Sequence, residues 1–273
     1  MFGKSSPFRT LTVLGQIGAL LVSLHLGFAR AAPGKTGVRS SSHLRMSTDP
    51  TIQRVREQIL SSAGGGSPSR PRYFMCLFGY QADPNNPEYA HTFASYVRVT
   101  GQDASSMQWL SISWLPATFG RDLKVDVFGS EVPGRNYSLE ETIAFTHRTG
   151  SRVATWGPYE ITPQLYRAAS QRVAALESGS FRYVPNDHGT RGSDQVVNCM
   201  HAVSDLDGHF EEYGGLFNSG LGIWGIRGTK HVLEYYRSRG TEWMLSPVDP
   251  DEFDHGQVWS PSQQQRRRQF TLR

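Results

Sequence analysis

The sequence predicts an α+β domain in which a small antiparallel sheet packs against helices. Aromatic residues make up 11% of the chain, a share that favours a fold containing a sheet. Some segments have the two-residue period of a strand, and others carry apolar residues at helical spacing. The chain has 273 residues. Both ends look like targeting or tail sequence, and the remainder suits one domain whose core needs no disulfide.

The first 31 residues have the order of a secretory signal peptide. Lys4 and Arg9 precede an uncharged apolar run over 11–29, and a small–x–small motif ends at Ala31, where we expect cleavage. The sequence therefore predicts a secreted or periplasmic protein. The apolar run is long enough that an uncleaved membrane anchor is an alternative, and translation from Met46 is a third interpretation.

Charge is concentrated at the two ends of the chain. Residues 32–72 form a predicted linker with one short amphipathic helix at 51–62, and 256–273 form a predicted disordered basic tail. The net charge of +4 arises from these ends and the leader, so the predicted domain, 73–255, is close to neutral. It carries no basic stripe with interleaved aromatic residues, which argues against nucleic-acid binding.

Strands are predicted for the first part of the domain. The apolar run 73–81 indicates a buried strand, and 91–101 alternates with His91 and Phe93 on one face. A third strand is predicted over 107–116 and a fourth over 123–130.

Helices dominate the second part of the domain. Ser138 followed by Glu141 forms a capping box for a helix over 138–150, and Pro163 and Gly179 mark the ends of the next. The remaining predictions are an irregular segment or strand at 151–162, a short strand at 181–185, a helix or loop-to-helix junction at 196–208, a loop at 210–228 and a helix at 228–240.

The chain has two cysteines, Cys76 and Cys199. An exported protein with two cysteines could join them in a disulfide. Cys76 lies inside an apolar run, however, where a small buried residue is the ordinary interpretation.

Cys199 and His91 are the candidates for chemistry. Asn198 is a good N-cap residue, so Cys199 would lie in the first turn of a helix, where the helix dipole favours a thiolate. His91 opens a strand directly after a turn-rich loop and could serve as the base for such a cysteine. Each residue also has an ordinary interpretation, as a core cysteine and as a histidine at a strand end.

The two segments HTFASYVRV and NCMHAVSDL, in that order, resemble the circularly permuted papain-like superfamily that includes lecithin–retinol acyltransferase. The resemblance covers residues 73–210. It implies that His91 is the general base and Cys199 the nucleophile. In that family a polar residue on the strand after the histidine orients the imidazole. Here that strand offers Gln108, Ser111 and Ser113, with no histidine, asparagine or acid, and we assign the role to Ser113.

The resemblance implies a thiol-dependent hydrolase or acyltransferase that acts on an ester or amide carbonyl, with a small-molecule, peptide or lipid acyl substrate. Backbone N–H groups at the start of the cysteine helix would stabilise the oxyanion. Tyr80, Trp114 and Asn198 are assigned as candidate substrate contacts. We expect a monomer without a cofactor.

Two other interpretations stay open. A zinc site could use Asp187, His188, Cys199 and His201, with His147 nearby, but positions 199 and 201 point about 200° apart on a helix. The protein could instead be a non-catalytic exported binding protein with a degenerate papain-like domain, in which the glycine- and aromatic-rich loop contributes a surface.

Overall fold

The computed structural model describes residues 47–64, 70–82, 86–126, 129–185, 196–206 and 224–247, which fall within one compact unit of the chain. The predicted signal peptide, the possible start at Met46 and the predicted basic tail lie outside these residues. Within the described ranges, no helix combines the length and apolar character needed to cross a membrane.

The larger sheet has four antiparallel strands in the order β3-β2-β1-β6. The strands are β1 (Arg72–Gln81), β2 (Ala90–Val99), β3 (Met107–Ile112) and β6 (Arg152–Glu160). This confirms the predicted α+β class, the first two predicted strands, and the strand alternative for 151–162. β1 and β2 are buried along nearly their whole length, and helices pack against both strands.

The smaller sheet differs from the prediction. It contains β4 (Trp114–Pro116), β5 (Val132–Asn136), β7 (Arg182–Tyr183) and β8 (Val196–Val197), and only the β7–β8 pair is parallel. The single strand predicted over 107–116 is wrong, since the chain leaves the larger sheet after β3 and enters the smaller one at β4. At the break, the Asn136 side chain accepts from the Ser113 amide (2.8 Å) and donates to the Ser111 carbonyl (2.9 Å). These bonds take the place of sheet pairing.

The strand predicted over 123–130 is also wrong. A short helix, α2 (Phe119–Asp122), ends at Leu123 with a positive φ of 56°, and 124–126 have no regular structure. The strand in this part of the chain is β5, which begins later. The sequence did not predict this strand because it contains Pro133 and Gly134, and both residue types are rare inside strands.

The other helices follow the predicted segments. They are α1 (Pro50–Ala63), α3 (Leu139–Thr149), α4 (Pro163–Glu177), α5 (Cys199–Ser204) and α6 (Gly225–Ser238). The capping box of α3 is present, with Ser138 and Glu141 bonded to each other's backbone amides. Helix α4 ends at Glu177 with Ser178 as its C-cap, and Gly179 follows with a left-handed φ of 78°. Helix α6 begins before the predicted start, so the last residues of the predicted loop are helical.

Helix α1 is packed into the domain. Ile52, Val55 and Ile59 are buried, and the helix contacts β6, β1 and α3. Its N-cap residue, Asp49, also pairs with His147 of α3 at 2.7 Å. The segment predicted as a linker therefore contains a helix that belongs to the core.

The outer edge of β6 is occupied near Glu160 by residues from the far end of the described chain. The amides of Leu245 and Ser246 donate to the Glu160 carbonyl at 2.8 and 3.2 Å, and the Glu160 amide donates to Ser246 Oγ at 3.0 Å. The Glu160 carboxylate also pairs with Arg72 at 2.7 Å. This end of the sheet is thus fixed by both backbone and side-chain bonds.

Candidate functional site

His91 lies at the start of β2, directly opposite Tyr80 of β1 in the sheet register. Its side chain is fully buried. The imidazole stacks on Phe93, with 5.5 Å between ring centroids, and lies 5.4 Å from the Tyr80 ring. Strand alternation explains the first contact, since positions 91 and 93 share a face.

One nitrogen of His91 is bound to Ser113. Nε2 lies 2.9 Å from Ser113 Oγ, and Ser113 is itself fully buried at the β3–β4 break. The residue predicted to orient the imidazole is therefore in hydrogen-bond contact with it. Of the other two polar residues on this strand, Ser111 bonds Ser95 and Gln108 bonds Arg98, both on β2 but away from the imidazole.

The other nitrogen of His91, Nδ1, is buried and has no hydrogen-bond partner among the described residues. Burial lowers the pKa of His91 to about 3, because a charged imidazole is poorly solvated there. His91 is consequently neutral near pH 7, with one ring nitrogen anchored and the other unengaged.

Cys199 is the first residue of α5, and its side chain is partly exposed and packs against the core. Asn198 precedes it as the N-cap, accepting from the amides of Met200 and His201 at 2.9 Å each. Asn198 thus occupies two of the backbone donors that the sequence offered for an oxyanion. Cys76, in contrast, is fully buried, and the structure contains no disulfide between Cys76 and Cys199.

A hydrogen bond connects the residue beside Ser113 to the residues just before α5. The indole of Trp114, next to Ser113, donates to the carbonyl of Val197 at 3.1 Å. Burial raises the pKa of Tyr80 well above its usual value, and the charge of Cys199 raises that pKa further. Tyr80 packs against the imidazole, with 5.4 Å between the ring centroids. No hydrogen bond joins Cys199 to Nδ1 of His91.

The three predicted substrate contacts all have buried side chains. Tyr80 packs against His91, Trp114 bonds Val197, and Asn198 caps α5. Each supports the positions of His91 or Cys199. Substrate contact by these residues remains a prediction.

Sequence reasoning missed Thr142 and Asn136. The Thr142 hydroxyl donates to Ser113 Oγ (2.7 Å) or to the Ser138 carbonyl (2.8 Å). A threonine four residues after an N-cap serine can always form the second of these bonds, but its contact with Ser113 depends on the packing of α3. Asn136 could not be found because β5 was not predicted.

The zinc alternative receives no support from the described residues, among which no three His, Cys, Asp or Glu side chains cluster. His147 is paired with Asp49 instead. Asp187 and His188 lie outside the described residues.

Comparison with known proteins gives no match to a family model, a curated protein or a solved structure.

Proposed function

We propose that this protein is a thiol-dependent hydrolase or acyltransferase that acts on an ester or amide. Cys199 is the nucleophile, His91 the general base, and Ser113 the residue that orients the imidazole. The observation that carries the proposal is the state of His91, whose Nε2 is anchored on Ser113 at 2.9 Å while Nδ1 is unengaged. An imidazole held in this way is suited to accept a proton from a thiol.

The order of the parts supports a permuted papain-like arrangement. A histidine at the start of a central strand precedes the residue that orients it, and a cysteine at the start of a helix comes last. Helix α5 packs on β2, the strand that carries His91. Catalytic hydrogen bonds are often long or absent before substrate binds, so the missing bond between Cys199 and His91 is compatible with this chemistry.

The reaction begins when the Cys199 thiol gives its proton to Nδ1 of His91. The sulfur forms a bond to the acyl carbon, and the bond from that carbon to the leaving oxygen or nitrogen breaks as His91 returns the proton to the leaving group. The product is a thioester on Cys199. Water or an amine then gives a proton to His91 and attacks the thioester, and the proton returns to the sulfur as the acyl group leaves.

Burial of His91 has two opposite effects on this reaction. It keeps the imidazole neutral, which is the form that accepts a proton. A pKa of about 3 also makes a weak base. A thiolate formed beside the ring would raise the pKa of the imidazole, so proton transfer should be coupled to attack on the substrate.

The predicted export signal directs the choice of substrate class. A cell-wall peptide or a lipid ester would suit a secreted or periplasmic enzyme, and the partly exposed Cys199 is reachable from solvent.

The test uses the chain's small number of thiols. With Cys76→Ala as background, Cys199 is the sole remaining cysteine, and p-nitrophenyl acetate serves as the acyl donor. We expect acetylation of Cys199 by mass spectrometry, reversed by hydroxylamine as for a thioester. Cys199→Ser should abolish it. His91→Gln should slow it by about 100-fold or more, the size of a general-base contribution.

A Cys199 that is never acylated, or that is acylated equally fast in His91→Gln, would contradict the proposal. The non-catalytic binding protein would then be the better interpretation. Iodoacetamide labelling of the same variants supplies a second measurement, since it reports thiolate reactivity without requiring the right acyl donor.

A further inference from the structure

We propose that Asn136 is a positioning residue for His91, acting through the backbone of Ser113. This inference rests on the proposed function, because the imidazole that Ser113 anchors is the general base of that reaction. The Asn136 side chain accepts from the Ser113 amide at 2.8 Å and donates to the Ser111 carbonyl at 2.9 Å. Ser113 Oγ lies 2.9 Å from Nε2 of His91. These contacts connect β5 to the imidazole through the β3–β4 break.

The break determines where the Ser113 side chain lies. Ile112 is the last residue of β3 and pairs with Ala94 of β2. An antiparallel pairing that continued would place Ser113 opposite Phe93, two residues away from His91 along β2. The chain turns away instead, and the Ser113 hydroxyl contacts the imidazole. The carboxamide that ends the pairing therefore also sets the position of this hydroxyl.

Both polar groups of the Ser113 backbone are bound by the end of one strand. Asn136 is the last residue of β5 and lies opposite Trp114 in the sheet register. Its side chain accepts from the Ser113 amide, and the next residue, Tyr137, donates its amide to the Ser113 carbonyl at 2.9 Å. Ser113 consequently cannot shift along the chain without breaking a hydrogen bond to this segment.

The contact between Ser113 and His91 tolerates little movement. Both side chains are fully buried, so water cannot easily take the place of a partner that is displaced. A shift of Ser113 by about 1 Å away from the ring would take Oγ beyond hydrogen-bond range of Nε2. The anchoring of the imidazole therefore depends on the backbone bonds that hold Ser113.

A carboxamide suits this position because the side chain must both accept and donate. The Ser113 amide can only donate and the Ser111 carbonyl can only accept, which decides which end of the Asn136 side chain faces each group. A carboxylate could bind the amide, but it would face the Ser111 carbonyl with a second acceptor. An aliphatic side chain would leave both backbone groups without this partner.

The test compares Asn136→Leu, which keeps a side chain of similar size without a donor or acceptor, with Thr162→Ala. Thr162 is the N-cap residue of α4 and lies beyond the Glu160 end of β6. Glu160 pairs with Phe74 near the start of β1, whereas His91 pairs with the other end of that strand. Loss of the cap should lower the melting temperature without reaching the break. The control thus separates a general loss of stability from a displaced imidazole.

NMR of the His91 ring gives the first measurement. Proteins labelled with 15N-histidine report the imidazole, and His91→Gln identifies its signals among the nine histidines. We expect Asn136→Leu to shift these signals, because the hydrogen bond at Nε2 is weakened or lost, and Thr162→Ala to leave them in place. Acylation of Cys199 should be about tenfold or more slower in Asn136→Leu and should change by less than about twofold in Thr162→Ala.

Unchanged His91 signals in a folded Asn136→Leu protein would overturn the inference, as would an equal slowing of acylation in Thr162→Ala. The NMR result does not depend on turnover, so failure of this inference is distinguishable from failure of the proposed function. Should Asn136→Leu fail to fold, Asn136→Asp answers the same question, since it keeps the size and the acceptor but loses the donor to Ser111. The inference then requires shifted His91 signals near neutral pH, and unchanged signals would contradict it.

Discussion

The indole nitrogen of Trp114 donates a 3.1 Å hydrogen bond to the carbonyl oxygen of Val197. The bond connects two strands of the smaller sheet, and both of its ends adjoin the candidate site. Trp114 follows Ser113, which anchors His91, and Val197 lies two positions before Cys199. A change in this one bond should therefore alter the position of Cys199 relative to His91.

Trp114→Phe tests this connection. Phenylalanine keeps an aromatic ring in the core but removes the indole donor, and the Val197 carbonyl keeps the Val184 amide as a partner at 3.3 Å. We therefore expect a loss of about 0.5–1.5 kcal/mol in the free energy of unfolding, the net contribution of one hydrogen bond. Urea denaturation measures the loss, and iodoacetamide labelling in the Cys76→Ala background measures the effect on Cys199. Labelling that is unchanged in a destabilised protein would show that the bond holds the sheet but does not position the sulfur.

Gly134 of β5 lies against the face of Trp114. A Cβ at this position would overlap the indole ring, so Gly134→Ala must displace either the strand or the tryptophan. We expect a destabilisation of about 1–3 kcal/mol, as for overpacking of a core. Gly120→Ala is the matched control, because its added Cβ would meet Tyr137 at an ordinary 3.8 Å. Equal melting temperatures for the two variants would contradict the close packing of β5 on Trp114.

Arg172 of α4 holds the far end of α5. Its Nη2 donates to the His201 carbonyl at 3.1 Å and its Nε to the Ala202 carbonyl at 3.4 Å, and the guanidinium is largely buried. Arg172→Met should cost about 1.5–3 kcal/mol, the range for hydrogen bonds from charged groups, and should increase amide exchange in α5. Arg167→Met, exposed on the same helix, is the control and should leave both quantities unchanged.

His91 makes a specific contribution to the pH dependence of stability. Its folded pKa of about 3 lies below the usual value of 6.5, so between these values the unfolded chain binds a proton that the folded chain does not. The contribution of His91 to the free energy of unfolding should therefore be constant above pH 6.5. It should fall as the pH falls toward 3, by at most about 1.4 kcal/mol per pH unit.

Urea denaturation of the unmodified protein and of His91→Gln at several pH values between about 4 and 7 isolates this contribution. The stability of the unmodified protein should fall more steeply with acid than that of His91→Gln. Parallel curves would mean that the imidazole reaches solvent or a counter-charge when protonated.

The sequence predicted the elements whose signals are local. The Ser138–Glu141 capping box and Pro163 fixed the starts of α3 and α4, and the alternation after His91 gave β2. It failed where pairing between distant segments decides the structure. β3 ends at Ile112 because Asn136, distant in sequence, binds the backbone on either side of that residue. No pattern within 107–116 carries that information.

The candidate site, like the fold, was predicted in part. The pairing of His91 with Cys199 and the choice of Ser113 came from the resemblance to the permuted papain-like family, and the contact between His91 and Ser113 is present. Thr142 could not be predicted, because its contact with Ser113 depends on which face of α3 meets the β3–β4 break. The apolar spacing of a helix predicts that a face is buried, but not which residue it meets.

The bonds at Glu160 have a consequence for the solution behaviour of the protein. A strand at the border of a sheet presents unused amides and carbonyls that can recruit a second chain, and natural proteins cover or interrupt such borders. Here the backbone amides of Leu245 and Ser246 donate to the carbonyl oxygen of Glu160. Leu245→Pro removes one donor at a residue whose side chain is 54% exposed, so it should barely change the core. We expect that variant to self-associate at concentrations where the unmodified protein stays monodisperse by light scattering.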